Sequence, residues 1–170
     1  MELTFNVKPN SGHMALAELE RLNVVKFVIT QSVDGLHQVA GTRNVVELHG
    51  SIRKVRCTKC DFKRELDGPR MKYRQSAPKC DSLLRPDVVW LGEPLPEDAW
   101  KLAVELCNRA GAILVVGTSC VVMPAGYLPY MVKRRGGIVI EVNVEPSAIT
   151  PMADVFLQGK AAEVLSEIVR

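Results

Sequence analysis

The chain has 170 residues, of which 47% are hydrophobic and 24% are charged, with a net charge of +3. This composition is typical of one globular domain and excludes a disordered, collagen-like or low-complexity protein. No apolar run approaches the roughly 18 residues of a membrane-spanning helix, so no membrane association is predicted. Residues 1–12 contain no long apolar core, and no secretory signal is predicted there.

The positive charge is concentrated in one segment. Residues 52–85 contain eleven Lys and Arg against four Asp and Glu, whereas the rest of the chain is acidic overall. Such a segment either meets an acidic partner, including nucleic acid, or forms an ordinary solvated basic face. The five cysteines are an odd number without a secretory signal, which predicts a reducing compartment. We therefore expect the protein in the cytoplasm.

Helices and strands are predicted to alternate along most of the chain. The spacing of Ala15, Leu19 and Leu22 predicts a helix that begins after Asn10 and ends near Asn23. Apolar runs predict strands at residues 24–30, 45–48, 113–116 and 138–142. Further helices are predicted at residues 96–109, 124–135 and 160–169. This alternation predicts an α/β fold, with a parallel sheet and helices on both of its faces.

Small or polar residues follow each of the four predicted strands. In chain order these exits are Gln31-Ser32-Val33-Asp34-Gly35, His49-Gly50, Gly117-Thr118-Ser119 and Asn143. Ligands of parallel sheets bind beyond the carboxyl ends of the strands. The four exits together therefore predict one shared cleft for a polar ligand.

His49 is the candidate general base of this cleft, because a neutral imidazole accepts a proton near physiological pH. A lone histidine is more often structural, and the strand exit that His49 shares with Gln31 and Asp34 favours the catalytic role. Asp34 can serve as an acid, as an acceptor for a ligand or as a helix N-cap. His37 is expected to cap or pack, and His13 is expected to be solvated.

Three other segments suit ligands. The exit at residues 117–119 offers N–H groups and hydroxyls to a phosphate or a ribose. Asn143 either binds a ribose or adenine or forms a turn. Residues 86–93 predict either an open edge strand that accepts an extended peptide or one more core strand.

Residues 51–85 interrupt the strand–helix alternation and lack apolar periodicity. They predict a small module inserted into a sheet domain that is formed by residues 1–50 and 86–170. A module of this size needs an additional stabilising link such as a bound metal, because it cannot bury enough apolar surface to fold unaided.

The inserted module contains a candidate metal site. Cys57 and Cys60 have the spacing of a metal-binding knuckle, and Cys80 lies where the second half of a zinc ribbon is expected. Ala77 has no donor atom and takes the place of a fourth cysteine. The remaining ligand is Asp81, Asp61, water or a partner's side chain, or else the site has decayed to free thiols. A metal here would be structural, because no catalytic motif is close in sequence.

Seven stretches of the sequence resemble the sirtuins, the NAD-dependent protein lysine deacylases of the silent information regulator family. They occur in the family order and span nearly the whole chain. They read PNSGHMALAELE at residues 9–20, ITQSVDGLH at 29–37, ELHG at 47–50, CTKC at 57–60, LLRPDVVWLGEPLP at 83–96, GTS at 117–119 with PA at 124–125, and EVN at 141–143.

The resemblance implies a Rossmann-like domain with a small zinc-ribbon module, and a cleft in which an acyl-lysine meets NAD. The acyl oxygen attacks the nicotinamide ribose, and nicotinamide leaves. His49 then acts as the base on a ribose hydroxyl. The acyl group ends on ADP-ribose, and free lysine remains.

The resemblance also assigns the ligand contacts. NAD would be bound by Gln31, Ser32, Val33 and Asp34 on the nicotinamide side and by Gly117, Thr118, Ser119, Asn143, Lys160 and Ala161 on the adenosine side. The substrate peptide would pair with Val89, Trp90, Leu91 and Gly92. Zinc would be bound by Cys57, Cys60 and Cys80.

The sequence departs from the family pattern in three ways. The family's first strand and its Gly-rich diphosphate loop have no counterpart before Pro9, so we expect an incomplete sheet and weakened NAD binding. Ser32 replaces a family Asn, and Ala77 replaces a zinc cysteine. The alternative function is therefore a catalytically impaired sirtuin-like fragment that binds a peptide or another partner. A dehydrogenase is disfavoured because the sequence has no G-x-G-x-x-G motif.

Overall fold

The computed structural model describes residues 7–66 and 75–170. Residues 67–74 of the inserted module, and the first half of the segment considered for a secretory signal, lie outside these ranges. The helices are α1 Ser11–Arg21, α2 Leu36–Val39, α3 Glu97–Arg109, α4 Leu128–Arg134 and α5 Ala161–Ile168. The strands are β1 Val28–Thr30, β2 Val45–Glu47, β3 Gly50–Cys57, β4 Lys63–Glu65, β5 Leu84–Val88, β6 Ala112–Val116, β7 Ile138–Asn143 and β8 Val155–Gln158.

Helix α1 begins where the sequence predicts. The Asn10 side chain accepts the N–H of His13 at 3.1 Å, and His13 Nδ1 accepts the N–H of Asn10 at 3.3 Å. This reciprocal capping satisfies two donors that the helix itself cannot. A Cβ on Gly12 would lie 3.2 Å from Cα of Ala162, so a glycine allows α1 to approach α5 closely.

Strand β1 is shorter than predicted. The predicted strand starts at residue 24, but the N–H groups of Val24 and Val25 both donate to the carbonyl of Leu19. Asn23 has a positive φ of 61°. These residues therefore close the end of α1, and pairing with β2 begins only at Val28.

The α/β fold is confirmed. Strands β1 and β2 form one parallel pair, and β6, β7 and β8 form a second parallel sheet in that order. Ile29 of β1 and Ile113 of β6 pack against the same buried cluster, which includes Val46 and Val132. Within the described ranges β1 and β6 each pair on one side only, as expected for an incomplete sheet. Strand β8 was not predicted, because its apolar run covers only residues 155–157 and is shorter than the runs used for the other strands.

Helix α4 is also shorter than the predicted helix at residues 124–135. The first part, Ala125–Tyr127, is a 3-10 turn. A Cβ on Gly126 would lie 2.3 Å from the carbonyl oxygen of Cys120. This close approach requires a glycine and brings the turn against the loop that follows β6.

The inserted module is a three-stranded antiparallel sheet in the order β4-β3-β5. Gly50 has a positive φ of 73°, and a Cβ there would lie 2.0 Å from the carbonyl oxygen of Asp87. No larger residue fits between β3 and β5 at this point. Only glycine can therefore follow His49 as the chain turns from the parallel sheet into the module.

No helix of the described ranges is long and apolar enough to cross a membrane.

His13 and His37 pack against each other, with ring centroids 4.9 Å apart. His13 is half-buried and caps α1, so it is partly solvated and also has a structural role that was not predicted. Burial lowers the pKa of His37 below its ordinary value of 6.5, proximity to His13 lowers it further, and Asp34 opposes both effects.

Acid is expected to destabilise the protein through His37. Its pKa is lower in the folded than in the unfolded chain, so the unfolded chain binds more protons below about pH 6.5. The free energy of unfolding should fall as the pH falls through this range. Urea denaturation at about pH 7.5 and about pH 5.5 measures the slope, which His37→Gln should reduce. Equal slopes in the parent and the variant would contradict this role.

Candidate functional site

The exits of four strands are joined by hydrogen bonds. Nε2 of Gln31, after β1, donates to Oγ1 of Thr118, after β6, at 3.3 Å. Nδ2 of Asn143, at the end of β7, donates to the carbonyl of Thr118 at 3.0 Å. Nδ1 of His49, after β2, lies 2.9 Å from the carbonyl oxygen of Gln31. The structure thus brings together four residues that the sequence analysis selected from separate exits.

Strand register explains this convergence. Thr30 pairs with Glu47 at the ends of β1 and β2, and Val116 pairs with Val142 near the ends of β6 and β7. Parallel strands in this register finish at the same edge of their sheet. The polar residues that follow them must therefore lie side by side.

The Gln31 carbonyl sets the tautomer of His49. A carbonyl oxygen only accepts hydrogen bonds, so Nδ1 of His49 carries the proton and donates it to Gln31. Nε2 of the neutral ring then holds the free lone pair. The half-buried imidazole is oriented with a single basic nitrogen available to a ligand, as a general base requires.

Asp34 has a capping role in this structure. Its Oδ1 accepts the N–H of Leu36 at 2.9 Å, at the start of α2. Its carbonyl accepts Nε of Arg53 at 2.8 Å. Val33 accepts the N–H of Ile52 through its carbonyl, and Ser32 is exposed. Among the described residues no hydrogen bond joins Asp34 to His49.

The loop after β6 is fixed to its neighbours. The N–H of Gly117 donates to the carbonyl of Val142 at 3.0 Å, and the carbonyl of Ser119 accepts the N–H of Ala148 at 3.2 Å. Ser119 itself is exposed. Hydrogen bonds therefore fix the backbone of the loop at Gly117 and at Ser119, while the side chain of Ser119 remains open to a ligand.

Lys160 and Ala161 lie at the start of α5. Gly159, immediately before them, donates its N–H to the carbonyl of Asn143 at 2.9 Å. This contact brings the start of α5 next to the exit of β7. Lys160 is exposed, and its Nζ lies 3.6 Å from Glu163.

The sequence analysis did not assign a role to Glu141, which is fully buried. Its Oε2 accepts the hydroxyl of Thr150 at 2.6 Å, and that hydroxyl oxygen accepts the N–H of Ser147 at 2.7 Å. These contacts fix the loop that follows Asn143. A carboxylate inside an otherwise apolar strand is the sequence signal that could have revealed this role.

The segment of residues 89–92 lies outside every strand of the described ranges. The strand predicted over residues 86–93 was therefore wrong beyond Val88, where β5 ends. The N–H of Val89 donates to the carbonyl of His49 at 2.9 Å. Trp90 is 58% exposed and Leu91 is fully exposed. The first residue of the segment is thus bonded to the backbone of the candidate base, and the next two present large apolar side chains to solvent.

Three cysteines of the inserted module form a cluster. The Sγ atoms of Cys57, Cys60 and Cys80 all lie within 4.8 Å of one another, and Cys80 lies 3.4 Å from each of the others. The N–H of Lys59 points at Cys57 and lowers the pKa of that thiol from 9.0 to about 7. A thiolate is the form that binds metals. The three sulfur atoms therefore fit a zinc ion.

The fourth position of this cluster has no sulfur or imidazole donor. Ala77 is fully buried, and its carbonyl accepts the N–H groups of Cys80 and Asp81 in a tight turn. All five cysteines and all three histidines of the chain fall within the described ranges. Cys107 and Cys120 are buried elsewhere, outside the inserted module.

Several basic side chains of the module form ion pairs. Arg56 approaches Asp87 and Glu93 at 3.5 and 3.4 Å, and Lys63 approaches Asp87 at 3.2 Å. Arg85 contacts Glu93 at 2.5 Å. These ion pairs favour the interpretation of a solvated basic face over that of a site for nucleic acid.

Two parallel sheets with polar strand exits that meet at one edge are typical of α/β proteins that bind nucleotides, and the three clustered cysteines could hold a metal ion. The sequence model of the Sir2 family matches residues 1–124. The chain belongs to the Sir2 family.

The chain is similar to proteins of thermophilic archaea. It is 58% identical to NAD-dependent protein deacylase 2 of Pyrobaculum aerophilum over 168 residues, which cover 99% of this chain and 68% of that protein. It is 56% identical to the NAD-dependent protein deacylase of Thermococcus kodakarensis, covering 100% of this chain and 69% of that protein.

Solved structures give the same result. A Sir2 homologue in complex with NAD matches with a TM-score of 0.96 and 53% identity, over 100% of this chain and 67% of that one. A Sir2 protein bound to an acetylated peptide matches with a TM-score of 0.91 and 34% identity, over 98% of this chain and 71% of that one.

Proposed function

We propose that His49 is the general base of NAD-dependent protein deacylation by this chain. The activity itself follows from the family and from relatives that are NAD-dependent protein deacylases and are 56–58% identical to this chain over 99–100% of its length. The observation that carries the role of His49 is its Nδ1 contact of 2.9 Å with the Gln31 carbonyl. That contact leaves Nε2 as the basic nitrogen.

The reaction moves an acyl group from lysine to ADP-ribose. The acyl oxygen attacks the nicotinamide ribose of NAD, the bond between ribose and nicotinamide breaks, and nicotinamide leaves. Nε2 of His49 then takes the proton of a ribose hydroxyl, whose oxygen attacks the acyl carbon. Lysine leaves the acyl carbon as the free amine, a water molecule adds in its place, and the acyl group stays on ADP-ribose. Positioned proton transfer of this kind contributes about 10²–10⁴-fold to a rate.

NAD binding is divided between two groups of residues. Gln31, Ser32, Val33 and Asp34 contact the nicotinamide ribose, and Gly117, Thr118, Ser119, Asn143, Lys160 and Ala161 contact the adenosine half. The hydrogen bond that Gln31 donates to Thr118 supports this arrangement, because it connects the two groups. Solved relatives in complex with NAD and ADP-ribose support NAD as the co-substrate.

The protein substrate carries an acyl-lysine. Support comes from a 34% identical Sir2 protein bound to an acetylated peptide. Residues 89–92 are the peptide contact, because they join His49 directly and are exposed. Zinc on Cys57, Cys60 and Cys80 would hold the inserted module together and takes no part in the reaction. The five free cysteines support a reducing, cytoplasmic location.

An assay of both products tests this function. The chain is incubated with NAD and an acetyl-lysine peptide, and nicotinamide and deacetylated peptide are quantified together. We expect equal amounts of both, with no nicotinamide formed when an unmodified lysine peptide replaces the substrate. Peptide binding without either product at millimolar NAD would instead support the alternative, a catalytically impaired binding module, to which Ser32 in place of the family Asn points.

A further inference from the structure

The turn at residues 90–93 is held by one carboxylate. The N–H of Glu93 donates to the carbonyl of Trp90 at 2.9 Å, and Gly92 has a positive φ of 87°. Oε2 of Glu93 accepts the N–H of Trp90 at 3.1 Å. The side chain of Glu93 therefore folds back and bonds the first residue of its own turn.

Arg85 contacts residues on both sides of the segment 89–92. Its guanidinium contacts the two carboxylate oxygens of Glu93 at 2.5 and 3.1 Å, which is a bidentate pair. Its Nη2 also donates to the carbonyl of Val88 at 3.0 Å, and its Cζ lies 5.5 Å from the centre of the Trp90 ring. One arginine thus connects the end of β5 with the turn that follows.

These contacts leave part of the segment available to a partner. The N–H of Val89 is bound to His49, and both backbone groups of Trp90 are bound to Glu93. Among the described residues, the carbonyl of Val89 and the N–H of Leu91 accept or donate no hydrogen bond. Unpaired main-chain groups in a fixed conformation are what an added peptide strand pairs with.

We propose that Arg85 and Glu93 are positioning residues that preorganise residues 89–92 for the acyl-lysine peptide. The proposal rests on the function given above, in which this segment binds the substrate. A preformed segment loses less conformational freedom on binding. The pair should therefore set peptide affinity, while NAD affinity and the chemical step do not depend on it.

Glu93→Gln tests the pair, because it keeps the size of the side chain and removes its charge. We expect the Kd for a fluorescein-labelled acetyl-lysine peptide, measured by anisotropy without NAD, to rise roughly three- to tenfold, as for a partly exposed ion pair. The KM for peptide should rise equally, with kcat and the KM for NAD within about twofold. Arg85→Lys, which keeps the charge but not the bidentate geometry, should give an intermediate Kd.

Glu97→Gln is the matched control. Glu97 is exposed and pairs with Lys101 on the surface of α3, so its substitution should leave peptide binding unchanged. Trp90 emission in a Trp100→Phe background adds a readout of the turn, and Glu93→Gln should shift it to longer wavelength. If the wild-type chain binds the peptide and Glu93→Gln binds it with the same Kd, the role of the pair is overturned and the proposed function stands. A wild-type chain that neither binds nor deacetylates the peptide would overturn both.

Discussion

Replacing His49 with alanine is expected to lower steady-state deacylation about 10²–10⁴-fold. The imidazole is held by the Gln31 carbonyl at Nδ1, and in the part of the chain that the structure describes no other basic side chain bonds to Gln31. Alanine removes the acceptor for the ribose proton and leaves the bound substrates in place. The loss should therefore appear in kcat, with the Kd values for NAD and peptide within about twofold.

The same assay, with both products quantified, checks this prediction. Nicotinamide formation precedes the step that needs the base, so His49→Ala should still release up to one nicotinamide per enzyme in a single turnover. His37→Gln is the matched control at about pH 8, because His37 packs against His13 and remains neutral there. Full steady-state activity in His49→Ala, or an equal loss in His37→Gln, would contradict the assignment of the base.

Restoring the missing cysteine should convert a weak zinc site into a strong one. Ala77→Cys adds a fourth thiolate beside the three sulfur atoms, which already lie within 4.8 Å of one another. Four-ligand structural sites bind zinc with about 10–16 kcal/mol, so one ligand accounts for roughly 3 kcal/mol, or roughly 100-fold in affinity. Competition with a chromophoric chelator measures this gain directly.

Ala77→Ser provides the control, because a hydroxyl of nearly the same size is not a zinc ligand of comparable strength. It should leave zinc affinity close to that of the parent chain. Cobalt substitution adds a spectroscopic readout, since four thiolates around the metal give stronger charge-transfer absorption than three. If the parent chain binds zinc as tightly as Ala77→Cys, a fourth ligand is already supplied, and the assignment of an open position is wrong.

Much of the site could be predicted because it consists of strand exits. Strands of apolar residues are visible in the sequence, and parallel strands finish at a common edge. Gln31, His49, Thr118 and Asn143 follow from that rule alone, and the structure joins them by hydrogen bonds. The cysteine cluster is similarly predictable, because the spacing of Cys57 and Cys60 is local.

Other features depend on contacts between residues far apart in the chain. The start of β1 was misplaced because Val24 and Val25 bond to Leu19 instead of to β2. His13 is half-buried because its ring meets that of His37, which no local pattern encodes. Residues 89–92 leave the strand because Arg85 and Glu93 hold a turn there. Each outcome was decided by a partner that local sequence does not specify.

The sequence by itself determined the α/β class, the candidate base and the three candidate metal ligands, because periodicity and short motifs carry that information within a few residues. Only the tertiary structure decided which nitrogen of His49 is basic, since the proton on Nδ1 is set by the carbonyl of Gln31 on a neighbouring strand. It likewise decided the fixed turn at residues 90–93, where the carboxylate of Glu93 meets a guanidinium from the preceding strand. Directional hydrogen bonds need three-dimensional placement, and the order of residues alone does not supply it.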